Sequence, residues 1–245
     1  MSRLTRHSLA ALLVLLTTSG ARAGLLIDGF ATGSQTLVNT TPASSVGAGT
    51  AASGALGGAR YLTVNNGANT FISVANVVPA LDRFDFFSQV APPANATTFV
   101  LRYDGTTGSV LNPTGLGGVN ALAGGSDGIL FRATNSTTGA LTFQFTAYSG
   151  AADFSVGTVS VASGATSLEK SLLFSGFATA GGAGANFSNL GALVVRISYA
   201  GAQGGSGSLE RMQFSQIPEP SSLALFGLAA GTLALAGRRR LRQAR

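Results

Sequence analysis

The stretch Leu141-Thr142-Phe143-Gln144-Phe145-Thr146-Ala147-Tyr148 decides the fold. Leu141, Phe143, Phe145 and Ala147 share one side of an extended chain, with Thr142, Gln144 and Thr146 on the other. Side chains alternate across a β-strand, so this is a strand with one buried face. The same rule, less perfectly kept, predicts strands at residues 25–30, 60–64, 70–74, 84–90, 97–103, 128–133, 154–161, 193–199 and 209–217. Strands of ordinary length with Gly, Asn and Ser between them predict an all-β chain, a single β-sandwich with jelly-roll-like connections. Residues 167–174 are the one stretch that also admits a helix, and Ser171-Leu172-Leu173-Phe174 fits a buried strand as well.

Composition points the same way. The 245 residues include 34 Gly and only 10% charged side chains, which suits strands and turns better than helices. Residues 39–59, 112–125, 178–185 and 200–207 are low in complexity and rich in Ala, Gly, Ser and Thr. Such stretches bury too little apolar area to offset the entropy of ordering, so they are expected to be loops. They recur at no fixed period, which argues against a solenoid.

A formal charge of +6 invites a nucleic-acid reading. Its distribution removes it. Eight of the 15 basic residues lie within the first 23 or the last eight positions. Residues 24–217 carry seven basic residues against eight acids. The basic excess belongs to the ends of the chain, where it sets membrane topology. There is no cysteine, and the only histidine is His7. The central segment therefore has no disulfide and depends on its apolar core.

Both ends have the pattern of targeting segments. Residues 1–23 read as a signal peptide: a basic start with Arg3 and Arg6, an apolar run from Leu9, then Ala21-Arg22-Ala23. Ala21 and Ala23 offer the small side chains that signal peptidase admits, which places the cut after Ala23. The alternative, an uncleaved anchor, needs about 20 apolar residues, and this run is shorter. At the other end stands Ile217-Pro218-Glu219-Pro220, then residues 221–237 without a charge, then Arg238, Arg239, Arg240 and Arg242. As a helix, 221–237 would reach about 25 Å, a short crossing of the bilayer core. The two prolines cannot continue that helix backwards, and the arginines favour the cytoplasmic side. The expected layout is a signal peptide at 1–23, a β-sandwich ectodomain at 24–217 and a sorting segment at 218–242.

A Pro-Glu-Pro motif, a short apolar helix rich in Ala, Gly and Leu, and a terminal Arg cluster resemble the PEP-CTERM sorting signal. That resemblance implies recognition of Pro218, Glu219 and Pro220 by an exosortase, an intramembrane cysteine transpeptidase of Gram-negative bacteria that make extracellular polysaccharide. It also implies transient retention in the inner membrane, cleavage near the motif, and delivery to the cell surface or matrix, with an association with exopolysaccharide and biofilm. The alternative is a generic single-pass anchor. The central domain is similar to exported proteins of that group through Leu26-Ile27-Asp28-Gly29-Phe30, Gly57-Gly58-Ala59-Arg60-Tyr61-Leu62 and Leu101-Arg102-Tyr103-Asp104-Gly105. These segments imply a shared sandwich and leave activity open.

Candidate chemistry is sparse, and no catalytic residue is assigned. No Ser-His pair can form in residues 24–217, and zinc would lack its usual nitrogen and sulfur ligands. A glycosidase or lyase needs two carboxylates. Asp82 and Asp85 are the nearest pair, but three positions apart in a strand running Leu81-Asp82-Arg83-Phe84-Asp85-Phe86-Phe87 they face opposite ways. The plainer expectation has Asp82 pairing with Arg83 or ending a turn, and Asp85 on the solvent face. Calcium, which asks only for several oxygens, is the one cofactor the sequence admits, near Asp104-Gly105 or Asp127-Gly128. Asp-Gly is equally a favoured turn pair without metal. The Gly-rich run at 180–184 lacks the lysine and following helix of a phosphate loop. Asn39, Asn95, Asn135 and Asn186 each begin an Asn-X-Ser/Thr triplet, which a Ser/Thr-rich chain produces by chance. Tyr61, Tyr103, Tyr148 and Tyr199 could stack on sugar rings if exposed together. Tyrosines more often pack at strand edges with wet hydroxyls. The competing expectations are a non-enzymatic surface or matrix protein, a calcium-assisted glycan-binding module, and a carboxylate-dependent glycosidase or lyase.

Overall fold

A computed structural model describes residues 24–90, 97–199 and 204–217. Fourteen strands are present among them: β1 (Leu26–Asp28), β2 (Gln35–Asn39), β3 (Ser45–Ala51), β4 (Ala59–Asn65), β5 (Thr70–Val78), β6 (Arg83–Val90), β7 (Thr97–Tyr103), β8 (Gly128–Asn135), β9 (Leu141–Tyr148), β10 (Phe154–Val161), β11 (Leu168–Leu173), β12 (Ala178–Gly181), β13 (Ala192–Tyr199) and β14 (Gly205–Ser215). They form two antiparallel sheets. Sheet I runs β11-β8-β14-β6-β5-β2, with β1 also on β14, and sheet II runs β12-β10-β9-β13-β7-β4-β3. The chain crosses between sheets repeatedly, as from β6 to β7, β7 to β8, β8 to β9 and β13 to β14. The result is an all-β sandwich.

Alternation explains the packing. β9 buries Leu141, Phe143, Phe145 and Ala147 completely, and β8 buries Ile129, Phe131 and Ala133 opposite them. The Phe131 ring centroid lies 5.0 Å from that of Phe143 and 5.4 Å from that of Phe145, which joins the sheets. A second run of rings goes from Phe30 through Phe84 and Phe86 to Phe99, at 6.1, 5.7 and 5.2 Å. Beside the mouth of β5, β6 and β7 the interior turns polar. Thr70 pairs with Thr97 there, Ser73 with Ser88, and Ser88 with Thr97, so the buried hydroxyls are hydrogen-bonded to one another.

Expectations change for four stretches. Residues 39–59 are not simply a loop, because they contain β3, paired with β4 from Ser45↔Asn65 to Ala51↔Ala59. Low apolar content does not keep this strand from forming, because its backbone ladder and close approach hold it. A Cβ on Gly47 would lie 2.7 Å from the Tyr61 hydroxyl, and one on Gly49 would lie 2.0 Å from the Thr107 carbonyl. The glycines are what let β3 lie flat there. For the same reason 178–185 begins with β12, and 200–207 ends inside β14. Residues 112–125 carry no strand. Residues 167–174 form an edge strand, β11, in which Leu172 alone is buried, so neither a helix nor a buried strand describes them. β2, which lacks clean alternation, is additional. Its Gln35 amide donates to the Ala48 carbonyl (2.6 Å) and its Asn39 amide to the Ser44 and Val64 carbonyls (3.0 and 3.2 Å), which closes the sandwich where the edges β2 and β3 meet.

A candidate binding trough on the outer face of sheet I

The three short segments singled out in the sequence converge inside the sandwich. Asp28 Oδ2 accepts from Arg60 Nη1 (2.5 Å) and from the Tyr103 hydroxyl (3.0 Å), while Oδ1 accepts from the Phe30 N–H (2.7 Å). Arg60 Nη2 donates to the Gly33 and Thr32 carbonyls at 2.7 and 3.2 Å, and its guanidinium lies 5.4 Å from the Phe30 ring centroid. Side-chain exposure is 0% for Arg60 and 2% for Asp28. Burial pushes the Asp28 carboxyl above its ordinary value, against the opposing pull of Arg60. Burial and the neighbouring carboxylate together push the Tyr103 phenol well up, so it stays a donor. This is a sealed ionic knot that ties β1 to β4 and β7, with no opening for a ligand. Tyr103 therefore departs from the expectation of a wet hydroxyl.

Arg102 and Asp104 act on a loop in the same way. Arg102 pairs with Asp104 (2.9 Å), donates to the Ser109 and Gly108 carbonyls, and lies 4.4 Å over the Tyr61 ring. Asp104 accepts from Thr106 N–H (3.2 Å), Thr106 hydroxyl (3.0 Å) and Asn112 N–H (2.8 Å), so both its oxygens are occupied by protein donors. Asp127 accepts from the Ile217 N–H (2.7 Å) at a different place. Among the described residues no three His, Cys, Asp or Glu side chains form a group that could hold a metal ion. The tyrosines are dispersed: Tyr61 lies under Arg102, Tyr148 stacks on Phe154, and Tyr199 is buried beside Thr138. Asn39 and Asn135 are buried and use their amides to bind turn and strand carbonyls, while Asn186 caps its own turn by accepting from Ser188. Asn95 lies outside the described residues.

The outer face of sheet I does have an opening. A trough of ≈ 660 Å³ runs across β5, β6, β14 and β8. Its floor is built by register. Asn76, Asp85, Ser208 and Thr134 stand opposite one another on β5, β6, β14 and β8. Val74, Phe87 and Ser206 make the next row. With strands about 4.8 Å apart, the first row spans about 14 Å. Phe87 is 42% exposed. Glu210 borders this trough and two smaller hollows beside it, so the three meet at one carboxylate. The β14–β8 register slips between Leu209 and Arg211, which makes Glu210 the extra residue of a bulge. Bulges aim side chains that a regular strand would not. Glu210 accepts from the Ser167 hydroxyl at 2.8 Å, and Asp85 is held by Arg83 at 2.9 Å.

Asp82 and Asp85 do not come together, in keeping with the expectation that they face different ways. Of the two expectations for Asp82 the turn holds: it precedes β6 and ends a 3-10 turn (Pro79–Leu81) with φ 48°, while Arg83 pairs with Asp85. Asp85 and Glu210, remote in sequence, line one trough. Part of this was open to a sequence reading. In β6 the alternation puts Phe87 outward and Ser88 inward, an inversion of the usual order. Glu210 gave no such signal, since a bulge depends on how the neighbouring strands pair.

Fold and trough define a β-sandwich domain with an open trough on the outer face of sheet I. Residues 216–240 match the PEP-CTERM protein-sorting motif, which implies export and processing by an exosortase. The motif residues Pro218, Glu219 and Pro220, the Arg cluster 238–242, the stretch 221–237, and Ala21 and Ala23 lie outside the described residues. Among the described residues no helix is long and apolar enough to cross a membrane. A search of the curated proteins finds no match. Solved structures of similar shape include a family 11 carbohydrate-binding module from a Clostridium thermocellum cellulosomal cellulase, at 10% identity and a TM-score of 0.38 over 82% of this chain and 99% of that one. A solution structure of such a module gives 12% identity and 0.39 over 82% and 100%. An agarase gives 11% identity and 0.39 over 61% of this chain, which spans only 22% of the agarase.

Proposed function

We propose that the chain is a cell-surface or matrix protein of a Gram-negative bacterium, released from its membrane anchor by exosortase, whose sandwich holds an exopolysaccharide strand in the sheet I trough. The trough itself carries this reading. Its floor offers amide, hydroxyl and carboxylate groups in cross-strand rows, which suit a ligand made of hydroxyls. Phe87 supplies an exposed aromatic face beside them for an apolar sugar face. Two experiments test the two halves. Replacing Pro218, Glu219 and Pro220 by alanine leaves the C-terminus uncut and the protein in the membrane fraction. Unchanged release would end the sorting half. A glycan array probed with residues 24–217, with and without calcium, finds a binder. Phe87→Ala then weakens it by about 1.5–3 kcal/mol, the worth of a buried Phe side chain, or roughly ten- to hundredfold in Kd. Because Phe87 is already exposed, the thermal midpoint stays near that of the parent. An array with no binder, or equal affinity for the variant, would sink the binding half.

Asp85 and Glu210 in one trough also support a second reading, a carboxylate-dependent glycosidase or lyase. New reducing ends or unsaturated sugars, abolished by Glu210→Gln, would favour it over passive binding.

A further inference from the structure

Both ends of the described chain leave the sandwich at the same pole. β1 runs antiparallel to β14, and the Phe214 N–H donates to the Leu25 carbonyl at 2.8 Å, which puts Gly24 beside Ser215. Asp127 fixes the exit of the other end. Its carboxylate accepts the Ile217 N–H at 2.7 Å, its own N–H donates to the Ser215 carbonyl at 3.1 Å, and its carbonyl accepts the Phe174 N–H at 2.7 Å. Residue 217 is thus part of the folded body. Only Pro218, Glu219 and Pro220 separate it from the uncharged stretch beginning at Ser221. Three extended residues reach at most about 11 Å. A headgroup layer is roughly 5–8 Å deep, so a tether of this length leaves little clearance.

We infer that the pole bearing Gly24, Asp127, Leu173 and Ile217 rests on the lipid–water interface while the sorting signal is in place, with the trough held away from the bilayer. This rests on reading 221–237 as a membrane span. The pole suits the interface: Leu25 and Leu173 are each 38% exposed there, and a Cβ on Gly128 would meet both Leu173 and Ile217. The trough is at the opposite end of β14. Ser206 precedes Ile217 by eleven positions, about 36 Å along an extended strand. The anchored protein is therefore able to engage its ligand before release, with the tether and the exosortase confined to the other pole.

Because the chain has no cysteine, single reporters are clean. Full-length protein in vesicles of phosphatidylethanolamine and phosphatidylglycerol is labelled with a polarity-sensitive fluorophore at Leu25→Cys, Leu173→Cys, Ser136→Cys or Ser206→Cys. Each variant is first matched to the parent in thermal midpoint; Ser175→Cys replaces Leu173→Cys if the latter unfolds. The pole labels shift to the blue and are quenched by brominated lipid, and the trough labels stay water-like and unquenched. Water-like emission from the pole labels in protein that sediments with the vesicles would overturn the orientation alone. Protein that does not sediment would overturn the span and the orientation with it.

Discussion

Replacing Arg60 with methionine lowers the stability of the sandwich at pH 7 by about 3–5 kcal/mol, and the loss shrinks on acidification. The first figure is that for removing one partner of a buried ion pair, which strands the other charge. Arg60 also holds the Thr32 and Gly33 carbonyls, so the turn after β1 loosens as well. The pH dependence comes from Asp28. Its carboxyl is raised by burial, and Arg60 is the main opposing influence. Without the guanidinium it rises further. A carboxyl whose folded pKa exceeds its unfolded value takes up a proton on folding. Its contribution is complete below the unfolded value, near 3.8, and lost as pH climbs through the folded one. The parent has the same sign over a narrower window, so the gap between the two chains is widest at neutral pH and narrows toward pH 5. Urea unfolding at both pH values, followed by far-UV circular dichroism, measures it. An equal gap at pH 5 and pH 7 would mean that Asp28 does not titrate in this environment.

The second large effect lies in the apolar core. Phe131→Ala costs about 3–5 kcal/mol, the range for deleting a buried ring together with the cavity it leaves. Phe131 is 1% exposed and touches Phe143 and Phe145 across the sandwich. Its removal takes out a contact that both sheets share. Phe87→Ala deletes the same group and is expected to leave stability nearly unchanged. The contrast between the two, measured by the same unfolding experiment, separates a packing residue from one available to a ligand. Similar losses for both would place Phe87 in the core.

How much was legible depended on the kind of signal. β9 was fully readable because its alternation is clean over eight residues, and β7 matched residue for residue for the same reason. β3 was unreadable as a strand: Ser45–Ala51 has almost no side chain to alternate, and its order comes from β4 and from glycines that allow close approach. That Asp82 ends a turn is one of its two readings from sequence, but a local pattern cannot show that its φ is positive. The segments around Asp28, Arg60 and Tyr103 were noticed as short motifs. That they form one sealed knot, not a site, became visible only when β1, β4 and β7 were brought together.

The amino-acid order alone determined the all-β class, because a period of two is a local property of the chain. It also determined the sorting motif, whose prolines, apolar run and arginines are recognised by their order along the chain. Tertiary structure decided where polar groups meet. Asp85 and Glu210 share a trough through strand order, register and one bulge, which depend on pairings between distant segments. The same long-range pairing put Gly24 beside Ser215 and let Asp127 hold Ile217, and so placed both ends of the described chain at one pole.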